Sequence, residues 1–210
     1  GYGTSVGPID LDMTSQSLES TGHPLDAAIQ GDGFFLVGPK TLTFNNADEL
    51  KSLTLSRVGD FKFDADGYLV DGGGNVVYGF LTVADANGDE WDESATPSTV
   101  LVPIRLPFAA VGDPTQPTQY PRPGETLYPV MTPDANTHLD PDDPTYGVDT
   151  TGDTINYHSL QIDENGRITC VNADTETPVV VGYIALGTVE NPNGLSHTEG
   201  PYYTAGDAAG

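Results

Sequence analysis

From Leu25 onward the apolar positions come in short runs. "AAIQ", "FFLV", "FKF", "YLV" and "VVYGFLTV" stand between clusters of Gly and Asp, and "LVPIRLP", "SLQI", "RITCV", "VVVGYIALGTV" and "YYTAG" continue the series after a gap. Short runs of β-branched and aromatic residues bounded by turn formers predict strands. Helical periodicity is scarce. The stretch "DMTSQSLESTG" is rich in Ser and Thr, whose side chains compete with a helix for backbone hydrogen bonds, so extended or irregular structure is expected there. The pattern predicts an all-β, hairpin-rich domain.

Three turns echo one another. "FDADGYLV" (63–70), "VADANGDEW" (83–91) and "IDENGRIT" (162–169) each place an Asp two residues before Asp or Asn, then Gly. The leading Asp caps its own turn through its side chain, and Gly accepts the positive φ that a hairpin needs. Hairpins are expected at all three, with Phe61 and Phe63 facing across to residues such as Tyr68 and Val70. The middle of the chain differs. From about Phe108 to Tyr157 prolines recur every few residues and apolar periodicity fades. Proline removes ladder donors, which excludes a central sheet. The expected organisation is a discontinuous β core (1–107 and 159–210) with a proline-rich acidic insert at 108–158, either irregular or a small second β lobe.

Composition sharpens this. Of 210 residues 37% are hydrophobic, and 25 Gly with 17 Pro suit a turn-rich β protein. Thirty-one acids face seven bases, a formal net charge of −24. No basic stripe exists to neutralise phosphates, so nucleic acid is excluded as a partner, as are anionic membrane surfaces. No apolar run reaches the roughly 18 residues of a membrane span, so no membrane insertion is expected. The start shows no signal-peptide pattern. The single cysteine, Cys170, has no internal disulfide partner. It alternates with Ile168 and reads as a small buried side chain.

Candidate chemistry is sparse. Gly31-Asp32-Gly33 could cradle a phosphate only if a helix followed, but "FFLV" is a strand pattern. Position 36 is Leu rather than Gly, and Asp32 would repel an anion. A tight turn into a buried strand is expected instead. Asp85, Asn87, Asp89 and Glu93 take positions one, three, five and nine of a calcium-like loop, yet Gly falls at position four and Thr96 at twelve. An acidic hairpin tip accounts for them, as a solvated loop does for "LDPDDP" (139–144). His23, His138, His158 and His197 are widely spread without metal-ligand spacing. No G-x-S-x-G elbow occurs. Trp91, Tyr120, Tyr128 and Tyr146 could form a sugar-stacking platform, although aromatics in a β protein usually pack a core or an edge. No cofactor, metal or catalytic residue is expected, and a secreted calcium- or carbohydrate-binding module remains the reading from another class.

Several motifs stand out along the chain: Ser17-Leu18, Thr21-Gly22 with Leu25-Asp26, Gly31-Asp32-Gly33-Phe34-Phe35, Arg57-x-Gly59-x-Phe61 and Asp64-x-x-Gly67-x-Leu69-Val70. Near the far end, Asn191-Pro192-x-Gly194-Leu195 precedes "GPYYTAGDAAG". Together these resemble the bacterial flagellar hook/rod axial protein family. The resemblance covers roughly 5–107 and 159–210. It implies that Gly31 to Gly33 form a structural turn, with Phe34 and Phe35 serving the core and the neighbouring surface. It further implies a structural subunit that polymerises with copies of itself into an extracellular helical tube, in contact with other flagellar axial and junction proteins. The opening segment and the insert look most like a hook protein, which joins the rod to the filament; the distal rod protein is the alternative. The departures are His23 where the family usually has Asn, a longer loop before Arg57, and an insert without a clear match. The family's terminal helices with apolar heptads are also missing, so a core fragment that stays monomeric in isolation is expected.

Overall fold

In a computed structural model, the structure describes residues 9–12, 17–19, 23–39, 52–64, 67–83, 96–97, 101–106, 108–110, 127–129, 157–189 and 194–205. Every regular element among them is a strand, and every ladder is antiparallel. The hub is β8 (Val76–Val83), which pairs with β4 (Phe34–Gly38) near its start and with β15 (Thr177–Ile184) further along. Beyond β15 come β14 (Arg167–Asn172) and then β13 (Tyr157–Ile162). On the other side of β4 lie β5 (Thr54–Ser56), β18 (Tyr202–Ala205) and β17 (Leu195–His197). After a break at Ala185 the chain re-enters the sheet as β16 (Leu186–Val189), between β4 and β1 (Ile9–Asp12). Thus the strand Thr177–Val189 serves two neighbours in turn, first β8 and then β4.

The short hairpin of β6 (Lys62–Phe63) and β7 (Leu69–Val70) leans on β8 through Val70 and Val76. Its register is Phe63 opposite Leu69 and Lys62 opposite Val70. This corrects the expected facing of Phe61 and Phe63 with Tyr68 and Val70. The Asp64 amide bonds the Tyr68 carbonyl, so Asp64 and Tyr68 close the turn and each earlier residue meets a partner one place further on. Phe61 instead packs edge-on against Phe35, with centroids 4.9 Å apart and planes at 83°.

Four further strands are brief: β9 (Thr96–Pro97) and β10 (Val102–Pro103) both pair with β8, and β2 (Ser17–Glu19) pairs with β3 (Ala28–Gln30). Within the proline-rich stretch, β11 (Phe108–Ala110) pairs with β12 (Leu127–Pro129), and among the described residues this ladder joins no other strand. The last residues of the stretch, Tyr157 and His158, belong to β13 and pair with Asn172 and Val171.

The core explains the unbroken apolar run "FFLV". Strand side chains alternate between faces, and both faces of β4 are covered. Phe35 and Val37 enter a large cluster with Phe63, Leu69, Val77 and Ile168. Phe34 and Leu36 enter a second cluster with Leu53, Leu55, Tyr78 and Phe80. Phe34 therefore faces a second buried layer rather than the neighbouring surface expected for it. Cys170 lies in the first cluster, buried. Burial pushes its thiol up from 9.0 to about 12, which suits packing rather than chemistry.

Candidate functional site

The sequence motifs of the first half converge on one corner. Gly31, Asp32 and Gly33 turn the chain from β3 into β4, and Gly31 has a φ of 129° that favours glycine. Arg57 follows the last residue of β5. Ser56, fully buried, accepts the Val58 amide on its Oγ at 3.2 Å and so tightens the exit from the strand. The Arg57 guanidinium reaches back to the corner and donates through Nη1 to the carbonyls of Gly31 (2.7 Å) and Gly33, and through Nη2 to that of Ile29 (3.4 Å). It also stands 5.8 Å from the Phe34 ring centre. A planar guanidinium with several donors suits such a fan of carbonyls.

Gly59 completes the corner. Its carbonyl accepts the Ala27 amide at 2.9 Å, and a Cβ on Gly59 would overlap the Ala27 carbonyl oxygen. Two backbones pass here with no room for a side chain. Asp26 and Asp60 form a bridge beside it. Thus the spacing Arg57-x-Gly59 is one device: the arginine clasps the corner and the glycine lets the chains touch.

A second device recurs three times. In Asp64–Tyr68, Asp71–Asn75 and Asp163–Arg167 the leading Asp Oδ1 accepts the amide four residues on, at 2.9 Å in each case. The Asp carbonyl accepts the amide of the Gly three residues on, and the Asp amide donates to the fifth residue's carbonyl. The glycines, Gly67, Gly74 and Gly166, have φ of 85°, 83° and 78°. The left-handed backbone at that position is what calls for glycine. Two of these turns are among those expected; the expected third, at 83–91, lies largely outside the described residues. The turn at Asp71 goes unread in the sequence because Gly73 stands where the other copies have Asp66 and Asn165, though the Asp-x-x-Gly spacing is there.

Asp71 does more than cap. It is 2% exposed, and its Oδ2 accepts the Tyr202 hydroxyl at 2.7 Å, while that hydroxyl accepts Asn75 Nδ2 at 3.0 Å. Burial first, then the hydrogen bond to Asp71, raises the Tyr202 hydroxyl above its ordinary 10.0. This network floors a recess lined by Ser56, Val58, Asp60, Gly72, Pro201 and Tyr202. On its rim Val58 is 43% exposed, the one exposed large hydrophobic among the described residues.

The other candidates are not brought together. Gly194 and Leu195 lead into β17, where Leu195 packs on the second cluster; Asn191 and Pro192 lie outside the described residues. So do Asp85, Asn87, Asp89, Glu93, Trp91, Tyr120, Tyr146, His138 and the 139–144 stretch. His23 is exposed, His158 contacts Ser159 (2.7 Å) and Glu176 (3.1 Å), and His197 bonds the Gly200 carbonyl at 2.6 Å. Among the described residues no three His, Cys, Asp or Glu side chains converge as metal ligands.

Comparison with known proteins gives this geometry a context. The chain is 37% identical over 81 residues to the flagellar hook protein FlgE of Helicobacter mustelae, which is 39% of this chain and 16% of that protein. It is 31% identical over 94 residues to the FlgE of Helicobacter pylori strain 26695, 45% of this chain and 12% of the relative. It is 36% identical over 77 residues to the flagellar basal-body rod protein FlgG of Bacillus subtilis, 37% of this chain and 25% of the relative. The chain is related to the flagellar hook/rod axial proteins. The matches span no more than a quarter of these axial proteins' lengths. No protein-family model matches the chain.

Proposed function

We propose that this chain is the β domain of a structural subunit of the bacterial flagellum, one that assembles with copies of itself into the hook. The kinship with hook and rod proteins carries the proposal. The geometry supports it: among the described residues, strands are tied together by the Arg57 corner and by three capped turns. Repeated copies with head-to-tail contacts build an open helical lattice, and a rigid domain is the unit such a lattice requires. The hook is preferred to the distal rod because a proline-rich insert (108–158) sits where hook proteins carry an outer domain, and because the opening segment is hook-like. The protein acts outside the cell, and its partners are its own copies and adjoining axial proteins. Gold-labelled antibody against this domain, imaged on intact flagella, tests the reading. Label on the short curved segment between envelope and filament supports the hook. Label confined to the envelope-spanning rod turns the reading to the rod protein, and label elsewhere on the cell rejects both.

A further inference from the structure

We propose that Asn165–Gly166 is a latent self-modification site, open to water at the asparagine and held unreactive by the Asp163 turn. Asn-Gly occurs three times in the chain, at Asn87–Gly88, Asn165–Gly166 and Asn193–Gly194, and only the second has both residues among the described residues. Glycine puts no side chain in the way of its own amide, so that amide can reach the side chain of a preceding asparagine. In the reaction the Gly166 nitrogen gives up its proton and attacks Asn165 Cγ. The N–Cγ bond forms, the Cγ–Nδ2 bond breaks, and ammonia leaves. Water then opens the five-membered imide at either carbonyl, which yields aspartate or isoaspartate and adds one negative charge. Isoaspartate also routes the main chain through Cβ and so lengthens it by one atom.

The fold opposes the first of these steps. Asn165 is exposed, so water and base reach it, but Gly166 is buried. The Gly166 amide donates to the Asp163 carbonyl at 3.0 Å, and the Asn165 amide donates to Asp163 Oδ1 at 2.9 Å. Asp163 is itself fixed, because its Oδ2 accepts Arg167 Nε at 2.8 Å. Two bonds from outside pin the turn further. The Leu18 amide donates to the Glu164 carbonyl at 2.9 Å, and the Ile184 amide to the Gly166 carbonyl at 2.8 Å. Leu18 and Ile184 are both buried. The electron pair exposed by deprotonation lies along the N–H direction, and in Gly166 that direction points at the Asp163 carbonyl. Turning it toward Asn165 Cγ breaks this bond and, through the shared backbone, pulls the Gly166 carbonyl off Ile184. Buried backbone groups then lose their partners, which is costly. A proton already donated to a carbonyl is also harder to remove. The turn that caps the hairpin thus shields its own Asn-Gly bond.

The test incubates the full-length gene product at mildly alkaline pH and reads aspartate and isoaspartate at position 165 by peptide mass spectrometry. In the folded protein Asn165 is expected to convert at least about tenfold more slowly than in the same protein unfolded in urea. Asp163→Ala removes the Oδ1 acceptor and is expected to recover much of the unfolded rate. Asp163→Asn keeps an acceptor oxygen and is expected to stay slow. Thermal midpoints above the incubation temperature show that the variants remain folded. Hydrogen exchange at Gly166 gives a readout that needs no variant, since its amide is expected to be protected in the native protein; it decides, with the urea comparison, if Asp163→Ala unfolds. Conversion in the folded protein as fast as in urea overturns the proposal. So does a folded Asp163→Ala protein that converts at the wild-type rate, or a Gly166 amide that exchanges freely while Asn165 stays unconverted.

Discussion

The guanidinium of Arg57 is bonded to the carbonyl of Gly31, 26 positions earlier, at 2.7 Å. Two motifs distant in sequence thereby form one corner, through which the chain passes from the β2–β3 pair into the central sheet. Arg57→Ala is expected to cost about 1–2 kcal/mol, within the range for charge-assisted hydrogen bonds reduced by solvent exposure. Arg57→Lys is expected to recover less than half of that, since an ammonium cannot span carbonyls on both sides of the turn. Urea denaturation of the three proteins checks this.

Glycines in this fold answer to two different physical demands, and substitution separates them. At Gly59 a Cβ meets the Ala27 carbonyl, backbone against backbone, so Gly59→Ala is expected to cost about 3 kcal/mol or more and to weaken the Ala27–Gly59 hydrogen bond. At Gly74 a Cβ meets nothing within 4 Å, and only the φ of 83° opposes it. Gly74→Ala is expected to cost about 1 kcal/mol, and Gly74→Asn less, because Asn tolerates the left-handed region. Thermal unfolding of the three variants gives the ranking directly.

Asp71 and Tyr202 lie 131 positions apart and tie the first hairpins to the last strand pair. Asp71→Ala leaves a hydroxyl and two backbone amides without their acceptor, at an expected cost of about 2–4 kcal/mol. Tyr202→Phe is expected to cost about 1 kcal/mol. A double-mutant cycle is expected to show coupling of at least about 0.5 kcal/mol, whereas additive effects would mean that the hydrogen bond contributes nothing of its own.

Alkaline pH provides a further test. Cys170 is raised by burial from 9.0 to about 12, and Tyr202 is raised by burial and by Asp71 above 10.0. Both groups hold their proton longer when folded. Their contribution is whole below pH 9 and is lost as pH climbs through the folded values, so stability falls from about pH 9 upward. For Cys170 the rise from 9.0 to about 12 is equivalent to about 4 kcal/mol at the top of that window. Cys170→Val is expected to flatten the decline between pH 9 and 12, and the native thiol is expected to resist a thiol reagent at pH 8 until the protein unfolds.

Much of this was legible locally, and the reason is physical. Strands announced themselves through β-branched runs, and the turns at Asp64 and Asp163 through an Asp that caps and a Gly that bends, all within five residues. Gly31-Asp32-Gly33 was readable as a corner because a strand, not a helix, follows. What escaped depends on distance along the chain. Nothing near Arg57 says that its donors serve carbonyls 24 to 28 positions away. Nothing near Asp71 points to Tyr202. The placement of Phe34 in a second buried layer likewise needs Leu53 and Tyr78, which sequence order does not bring together. The one-place error at Phe63 arose because the turn closes at Asp64 and Tyr68, a detail of turn geometry that residue types alone leave open.

The most direct test of the central claim is electron microscopy of the full-length gene product under polymerising conditions. An axial subunit is predicted to form tubes, curved for a hook and straight for a rod. A protein that stays monomeric at every concentration and salt condition, while this domain remains folded, would contradict a structural role in the flagellum.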